Sequence, residues 1–281
     1  RSEQTEIEEG RGINGSVMLD MRHLGAERII ERLPGSRELS MTFAGVDPIY
    51  EPVPVRPGAH YHMGGIETDS DGATELTGLY AAGECACVSV HGANRLGGNS
   101  LMETITFGRR SGTAAAEWAL SHTTVSVPES VERDAERQLA ELLGRSDGER
   151  PWTIRNELGE SMLENFGVFR REEKMVRQER LIQELRERYR NVVVEDKGNV
   201  FNSDLTQAIE LGNMLDTAWC MVQGGIARKE SRGAHARPDD YPTRDDANFL
   251  KHTISRWVDD RPVLSYEPVR MGKWEPEERK Y

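Results

Sequence analysis

The chain has 281 residues, with 48 acidic and 36 basic side chains and a formal net charge of −12, which argues against general nucleic-acid binding. Hydrophobic residues make up 37% and charged residues 30%, a balance that fits a globular protein of one large or two ordinary domains. No apolar run approaches the ~20 residues that a membrane span needs. The three cysteines, Cys85, Cys87 and Cys220, are an odd number, so a full disulfide framework is not expected and a reducing compartment is favoured. The chain opens on Arg1 without a signal-type segment and reads as a fragment.

In chain order, residues 17–20 read as a short strand and 25–33 as a helix that Pro34 and Gly35 end. The run Glu51-Pro-Val-Pro-Val-Arg-Pro57 is extended, because closely spaced prolines bar a helix interior. Residues 77–83 read as a buried strand and a tight turn, with Glu84 directly after it. A carboxylate in that place has two readings: a grip on a ribose, as in nucleotide folds, or an exposed turn residue. Cys85 and Cys87 alternate at a strand end. No second Cys or His pair has ligand spacing, so they read as small buried residues rather than half a metal site. Ser100-x-x-Glu103 has the spacing of a capping box, and the helix it opens runs over residues 101–120.

Beyond residue 119 the pattern turns helical and highly charged, with helices predicted over 131–143, 152–169, 172–189 and 204–228. The charge-rich stretch 170–190 reads as a solvated helix face rather than an interaction helix. Residues 192–194 are a brief strand or an extended link. A short tail follows from Phe249, strand-like around 263–266. No internal repeat or low-complexity tract is present.

The stretch from Gly83 to Leu101 carries most of the chemistry. It places Glu84, His91 and Arg95 among glycines at 83, 92, 97 and 98 and then opens a helix. Glycines let backbone N–H groups approach a ligand closely, and Arg95 offers a planar fork for a carboxylate or phosphate. A helix N-terminus is positive, so an anionic group is expected there. The alternative is a Gly-rich turn with a surface arginine. His60 lies upstream, in Arg56-Pro-Gly-Ala-His60-Tyr-His-Met-Gly64-Gly65-Ile-Glu-Thr-Asp69. By itself it could equally be a core histidine satisfied by backbone.

The run His91-Gly-Ala-Asn-Arg95-Leu-Gly-Gly-Asn-Ser100-Leu101 resembles the flavin-and-substrate loop of the flavoprotein subunits of succinate dehydrogenase and fumarate reductase. The Arg56–Asp69 segment resembles the active-site segment of the same family. Ala227-Arg-Lys-Glu230-Ser-Arg232-Gly-Ala-His235 and Arg244-Asp-Asp-Ala-Asn248 resemble its C-terminal region. The resemblance covers essentially the whole chain.

It implies an α/β plus α fold. Residues 1–50 would be the tail of a capping domain and 51–119 the end of a doubly wound FAD-binding domain. A helical C-terminal domain would follow over 120–248 and a tail over 249–281.

The implied function is interconversion of succinate and fumarate by hydride transfer with FAD, electrons passing to an iron–sulfur subunit. His60 and Arg95 would bind the dicarboxylate. Glu84 would bind the adenosine ribose, and Ser100 and Leu101 the isoalloxazine ring. No catalytic residue proper is expected within the chain: the proton-shuttle arginine and the covalent FAD attachment site would lie upstream of Arg1. The expected partners are the iron–sulfur and membrane-anchor subunits, holding the protein peripherally on the cytoplasmic face of the cell membrane.

Arg228, Glu230, Arg232 and His235, at the end of the last long helix, remain open between a structural ion-pair knot and a brace for the site wall or partner contact. L-aspartate oxidase, which shares the His-Gly-Ala-Asn-Arg loop, is the alternative enzyme. A non-catalytic fragment or binding module is the alternative of another class.

Overall fold

The structure is a computed structural model in which residues 1–273 and 275–277 are described. Its contacts divide the chain into two compact units, Arg1–Ala59 and His60–Tyr281.

The first unit contains α1 (Ser2–Glu8), β1 (Val17–Leu19), α2 (Ala26–Arg32), α3 (Pro34–Leu39) and β2 (Val53–Val55). The proline-bounded run is extended as expected, and it pairs antiparallel with β1, placing Met18 opposite Pro54. A two-stranded ribbon consists only of edges, so prolines fit there. The helix expected over 25–33 ends at Arg32, before Pro34, and Pro34 then opens a separate helix. It sits in the first turn of α3, where its missing N–H would have had no partner in any case.

In the second unit, β3 (Ile66–Glu67) pairs parallel with β4 (Ala86–Cys87). Gly65, at φ +130°, allows this pairing: a Cβ there would lie 2.5 Å from the Cys85 carbonyl oxygen. The strand predicted over 77–83 is absent. That stretch makes one isolated bridge, Ala73 to Tyr80, and leaves Leu76 and Leu79 exposed. Gly78 and Gly83 take φ of +84° and +80°, outside the extended region, which explains why no strand forms. The expected burial of both cysteines is also wrong. Cys85 is exposed, and Cys87 is half-buried, its thiol pushed up by desolvation.

α4 (Asn99–Ser121) follows β4 through the glycine loop, and α5 (Glu129–Gly144) buries no residue. The core lies among α6 (Pro151–Phe166), α7 (Glu172–Tyr189) and α8 (Ser203–Ala227). The charge-rich α7 turns Met175, Gln178, Ile182 and Leu185 inward at a 3–4–3 spacing, one stripe of a 3.6-residue helix. Buried Gln178 is satisfied, accepting from Asn165 Nδ2 and donating to Ser161 Oγ, each at 2.9 Å.

α8 presents Leu211, Leu215, Ala218 and Val222 to that stripe. At Gly225 the absent Cβ leaves room for Phe166, which would otherwise be 2.5 Å away. Asn202 caps α8 by accepting from the Leu205 amide at 2.8 Å. Residues 192–194 form a link with one bridge, Val192 to Glu149, and bury Val192 and Val194.

A helical turn α9 (Asp246–Phe249) precedes a hairpin of β5 (Lys251–Val258) and β6 (Arg261–Pro268). The expected strand at 263–266 falls within β6, whereas β5 was not foreseen. Asp259 and Asp260 turn the chain at φ of 49° and 59°, the left-handed pair of a tight hairpin. Trp257 of β5 meets Trp219 of α8 edge to face at 5.8 Å, and Arg186 lies 5.0 Å over both rings.

Among the described residues no helix is long and apolar enough to cross a membrane. Ile182 has no exposed surface, so Ile182→Ala is expected to lower unfolding free energy by about 2–5 kcal/mol. Urea unfolding measures this; a loss below about 1 kcal/mol would mean that the α7–α8 seam collapses around the hole.

Candidate functional site

Two consecutive residues near the start of the second unit touch two of the singled-out side chains. The His62 amide donates to Glu84 Oε1 at 2.8 Å. The Tyr61 ring lies under the Arg95 guanidinium, 4.5 Å from its carbon to the ring centre. His60, immediately before, is exposed. The structure thus brings Tyr61 and His62 together with Arg95 and Glu84 and leaves the His60 side chain exposed beside them.

Arg95 is half-buried and held. One terminal nitrogen donates to the Leu96 carbonyl at 3.0 Å, and the flat face rests on Tyr61, a cation–π contact. Its Nε is buried without a hydrogen-bond partner among the described residues. A buried unpaired donor on a cation is costly unless a ligand supplies the acceptor. Arg95 is therefore a held cation with one donor left open among the described residues.

The loop leading into α4 departs from the sequence expectation at its end. The helix begins at Asn99, and Gly98, at φ +82°, occupies the cap position with no side-chain cap. Ser100 lies inside the first turn, where its carbonyl accepts from the Thr104 hydroxyl at 2.9 Å. The capping box is therefore not formed. Its second member, Glu103, instead points into the protein with 5% of its surface exposed. Oε2 of Glu103 accepts from the Tyr61 hydroxyl at 2.5 Å and meets His91 Nε2 at 2.7 Å. Burial, with Glu103 beside it, pushes the Tyr61 hydroxyl up to about 12, so it stays a donor. Tyr61 and His91 also meet edge to face at 5.6 Å.

The sequence pattern assigns Glu103 only a capping-box role and Tyr61 and His91 none. The two apolar residues before Glu103, Leu101 and Met102, are 71% and 66% exposed, so the polarity pattern of this turn is inverted and gave no warning.

The loop is braced from the C-terminal part of the same unit. The Ala234 amide donates to the Ala93 carbonyl at 2.8 Å, and a Cβ on Gly233 would fall 2.4 Å from that oxygen. Ser89 Oγ meets His252 Nε2 of β5 at 2.9 Å.

Loop 228–237, which carries Gly233 and Ala234, is built around Glu230, which has no exposed surface. Burial alone would raise the Glu230 carboxyl. Hydrogen bonds from Arg232, the Asp245 amide and Arg228 outweigh it and hold the group below its ordinary value. Arg232 reaches Glu230 with two nitrogens, at 2.8 and 2.9 Å, and Asp246 at 2.7 Å. Arg228 also donates to the Phe249 carbonyl of α9 at 2.9 Å and to the Lys251 carbonyl at 2.5 Å, which ties the start of the hairpin down.

His235 lies within hydrogen-bond reach of the Arg228 carbonyl through Nε2, at 3.0 Å, and of Arg170 through Nδ1, at 2.8 Å. Nε2 therefore carries the proton and Nδ1 accepts. Burial, and then the Arg170 charge, push the imidazole down to about 4. Of the two readings left open for these four residues, the structure shows a buried ion-pair knot that also carries the loop bracing Ala93. Among the described residues no cluster of three or more His, Cys, Asp or Glu could hold a metal.

The geometry thus defines a strand–loop–helix unit whose glycine loop holds a half-buried cation with an unpaired donor among the described residues. Residues 1–101 match the family model of an FAD binding domain, and residues 155–281 match that of the fumarate reductase flavoprotein C-term. The fumarate reductase flavoprotein subunit of a Serratia species is 47% identical over 94% of this chain and 45% of its own length. The succinate dehydrogenase flavoprotein subunit of Rickettsia conorii is 41% identical over 96% and 48%. The flavoprotein chain of a solved Escherichia coli quinol fumarate reductase superposes with a TM-score of 0.92 at 43% identity, covering 98% of this chain and 48% of that one. The chain belongs to the family of fumarate reductase and succinate dehydrogenase flavoprotein subunits, and it spans about half the length of the curated relatives it matches.

His235 supplies a pH signature. The unfolded imidazole binds its proton near 6.5 and the folded one near 4, so the folded state binds fewer protons between those values. Stability is then complete above about pH 6.5 and falls as pH drops toward 4, by about 3 kcal/mol in the limit. The melting temperature should fall faster from pH 7 to 5 in the parent than in His235→Gln. Parallel curves would mean that the imidazole titrates normally in the folded state.

Proposed function

We propose that this chain is part of the flavoprotein subunit of a succinate:quinone oxidoreductase that interconverts succinate and fumarate and passes electrons to an iron–sulfur subunit. The observation that carries the reading is Arg95, set on the Tyr61 ring with a buried Nε–H that lacks an acceptor among the described residues. A dicarboxylate needs a cation or donor at each end. Arg95 offers a fork for one carboxylate. His60, exposed one residue before Tyr61, offers a donor for the other and for charge developing on the alkene. The assembly holds the substrate in one orientation, which removes part of the entropic barrier.

The residues present also fit FAD. Glu84 has one oxygen tied to the His62 amide and the other free of hydrogen bonds among the described residues, leaving an acceptor for a ribose hydroxyl. A Cβ on Gly97 or Gly98 would meet nothing within 4 Å, so the entrance to α4 is open to a large group. Ser100 and Leu101 in the first turn would face the isoalloxazine. FAD, when bound, supplies hydride acceptance and donation. The N-terminus of α4 favours negative charge at such a ring by about 0.3–1 kcal/mol, more when partly buried.

In this reading residues 1–50 end a capping domain, 51–119 end the FAD domain, 120–248 form the helical domain and 249–281 the tail. The proton-handling arginine and the flavin attachment site belong upstream of Arg1. Iron–sulfur and anchor subunits hold the assembly peripherally on the cytoplasmic face of the membrane.

In the full-length protein, Arg95→Lys is expected to lower kcat/KM for succinate more than a hundredfold, about 3 kcal/mol of transition-state stabilisation, with flavin content unchanged. Near-normal kinetics would remove Arg95 from the substrate site. Direct transfer of electrons to oxygen by the isolated subunit, with L-aspartate as substrate, would instead support L-aspartate oxidase.

Glu84→Ala is expected to lower the flavin-to-protein ratio and the melting temperature together, because a ligand bound only by the folded state stabilises it. An unchanged ratio would make Glu84 a turn residue.

A further inference from the structure

Glu103 has no place in the proposed chemistry, yet it is one of two buried carboxylates among the described residues, and its partner Tyr61 lies under Arg95. Its Oε2 joins the Tyr61 hydroxyl and His91 Nε2 at 2.5 and 2.7 Å. Tyr61 and His91 come from different segments, one from segment 60–62 and the other from the start of the glycine loop. Tyr61 can supply the proton at its end, since its hydroxyl stays protonated to about pH 12. The ring so tethered is the plate on which the Arg95 guanidinium lies, 4.5 Å from its centre. His91 meets the same ring edge to face and so limits its tilt.

An arginine side chain has several rotatable bonds. Arg95 has one hydrogen bond to its own neighbour's carbonyl and none at Nε among the described residues. Little besides the plate sets the direction of the fork. A planar, bidentate donor loses its advantage when its plane is free to turn.

We propose that Glu103 is a positioning residue for dicarboxylate recognition: through the Tyr61 hydroxyl and His91 it locks the aromatic plate that orients Arg95. This rests on the reading of Arg95 as the dicarboxylate clamp. Glu103 touches no substrate in this account. Its effect reaches the substrate through ring orientation, so it acts on binding of any dicarboxylate before the chemical step.

The test uses the full-length flavoprotein with its partner subunits and a non-oxidisable dicarboxylate, malonate, as the binding probe. Glu103→Gln keeps the volume and removes the charge. Tyr61→Phe keeps the ring and removes the tether. Each is expected to weaken malonate binding and raise KM for succinate about tenfold. The kcat should move less than threefold and flavin content should stay normal.

The double variant should lose clearly less than the roughly hundredfold product of the single losses, because the Tyr61 hydroxyl bond removed by Tyr61→Phe is one of the two contacts that Glu103→Gln weakens, the other being with His91. Glu103→Asp, one methylene shorter, should recover part of the loss. A merely structural carboxylate would lower the melting temperature of Glu103→Gln and leave malonate affinity and KM in place, and that result overturns the proposal. Additive losses in the double variant overturn it as well.

Arg95→Lys is the control. If it too leaves malonate binding unchanged, the clamp reading is at fault. If it weakens binding while Tyr61→Phe does not, Glu103 has no positioning role. Should Glu103→Gln fail to fold, Tyr61→Phe with its intact ring still decides.

Discussion

An ionised carboxylate without solvent must be surrounded by donors, and Glu230 imposes that condition on the C-terminal half of this chain. With no exposed surface, it gathers two arginines and the Asp245 amide, drawn from different segments. Removing one partner of such a group commonly costs several kcal/mol, because the rest is left charged in a poor solvent. Geometry therefore has little freedom here. Arg228 is pinned to the Lys251 carbonyl at the start of the hairpin, and Arg232 to α9. The loop between them must present Gly233 and Ala234 where they meet Ala93.

That contact links the ion-pair knot to the site. The glycine loop has little of its own to hold it. It lacks a side-chain cap at α4, and its backbone turns through left-handed conformations at Gly92 and Gly98. Flexible backbone near a ligand is useful only if something rigid fixes it from behind. Here the support comes from two directions: loop 228–237 at Ala93, and β5 at Ser89 through His252. Both supports stand on α8, whose apolar seam with α6 and α7 is the main core of the unit. The helical part of the chain thus serves the site as a foundation, although it carries no residue expected to touch substrate.

Some of this was legible beforehand. The long helices were read from the spacing of their apolar residues, and α7 has the predicted bounds, because a helix of that length repeats its pattern four or five times. The residue types around Arg95 pointed to an anion, since a fork beside several glycines has few other uses. The tight elements were less legible. Residues 77–83 look like a strand by composition, but two left-handed glycines prevent it. Ser100 and Glu103 have capping-box spacing, but Gly98 already takes the cap and frees Glu103 to turn inward. In each case a spacing rule met a backbone conformation that no local pattern announces.

The sequence by itself determined the helices, the family and the chemical character of the loop, because periodicity, motif order and residue type are properties of neighbouring positions. Only the tertiary structure decided that Tyr61, His91 and Glu103 form one hydrogen-bonded unit, that Arg95 lies on the Tyr61 ring, and that Glu230 organises the brace at Ala93. The physical reason is the same for all three. A buried charge or donor takes its partner from whatever the fold brings within about 3 Å, and Tyr61 and Glu103 are 42 residues apart in the chain.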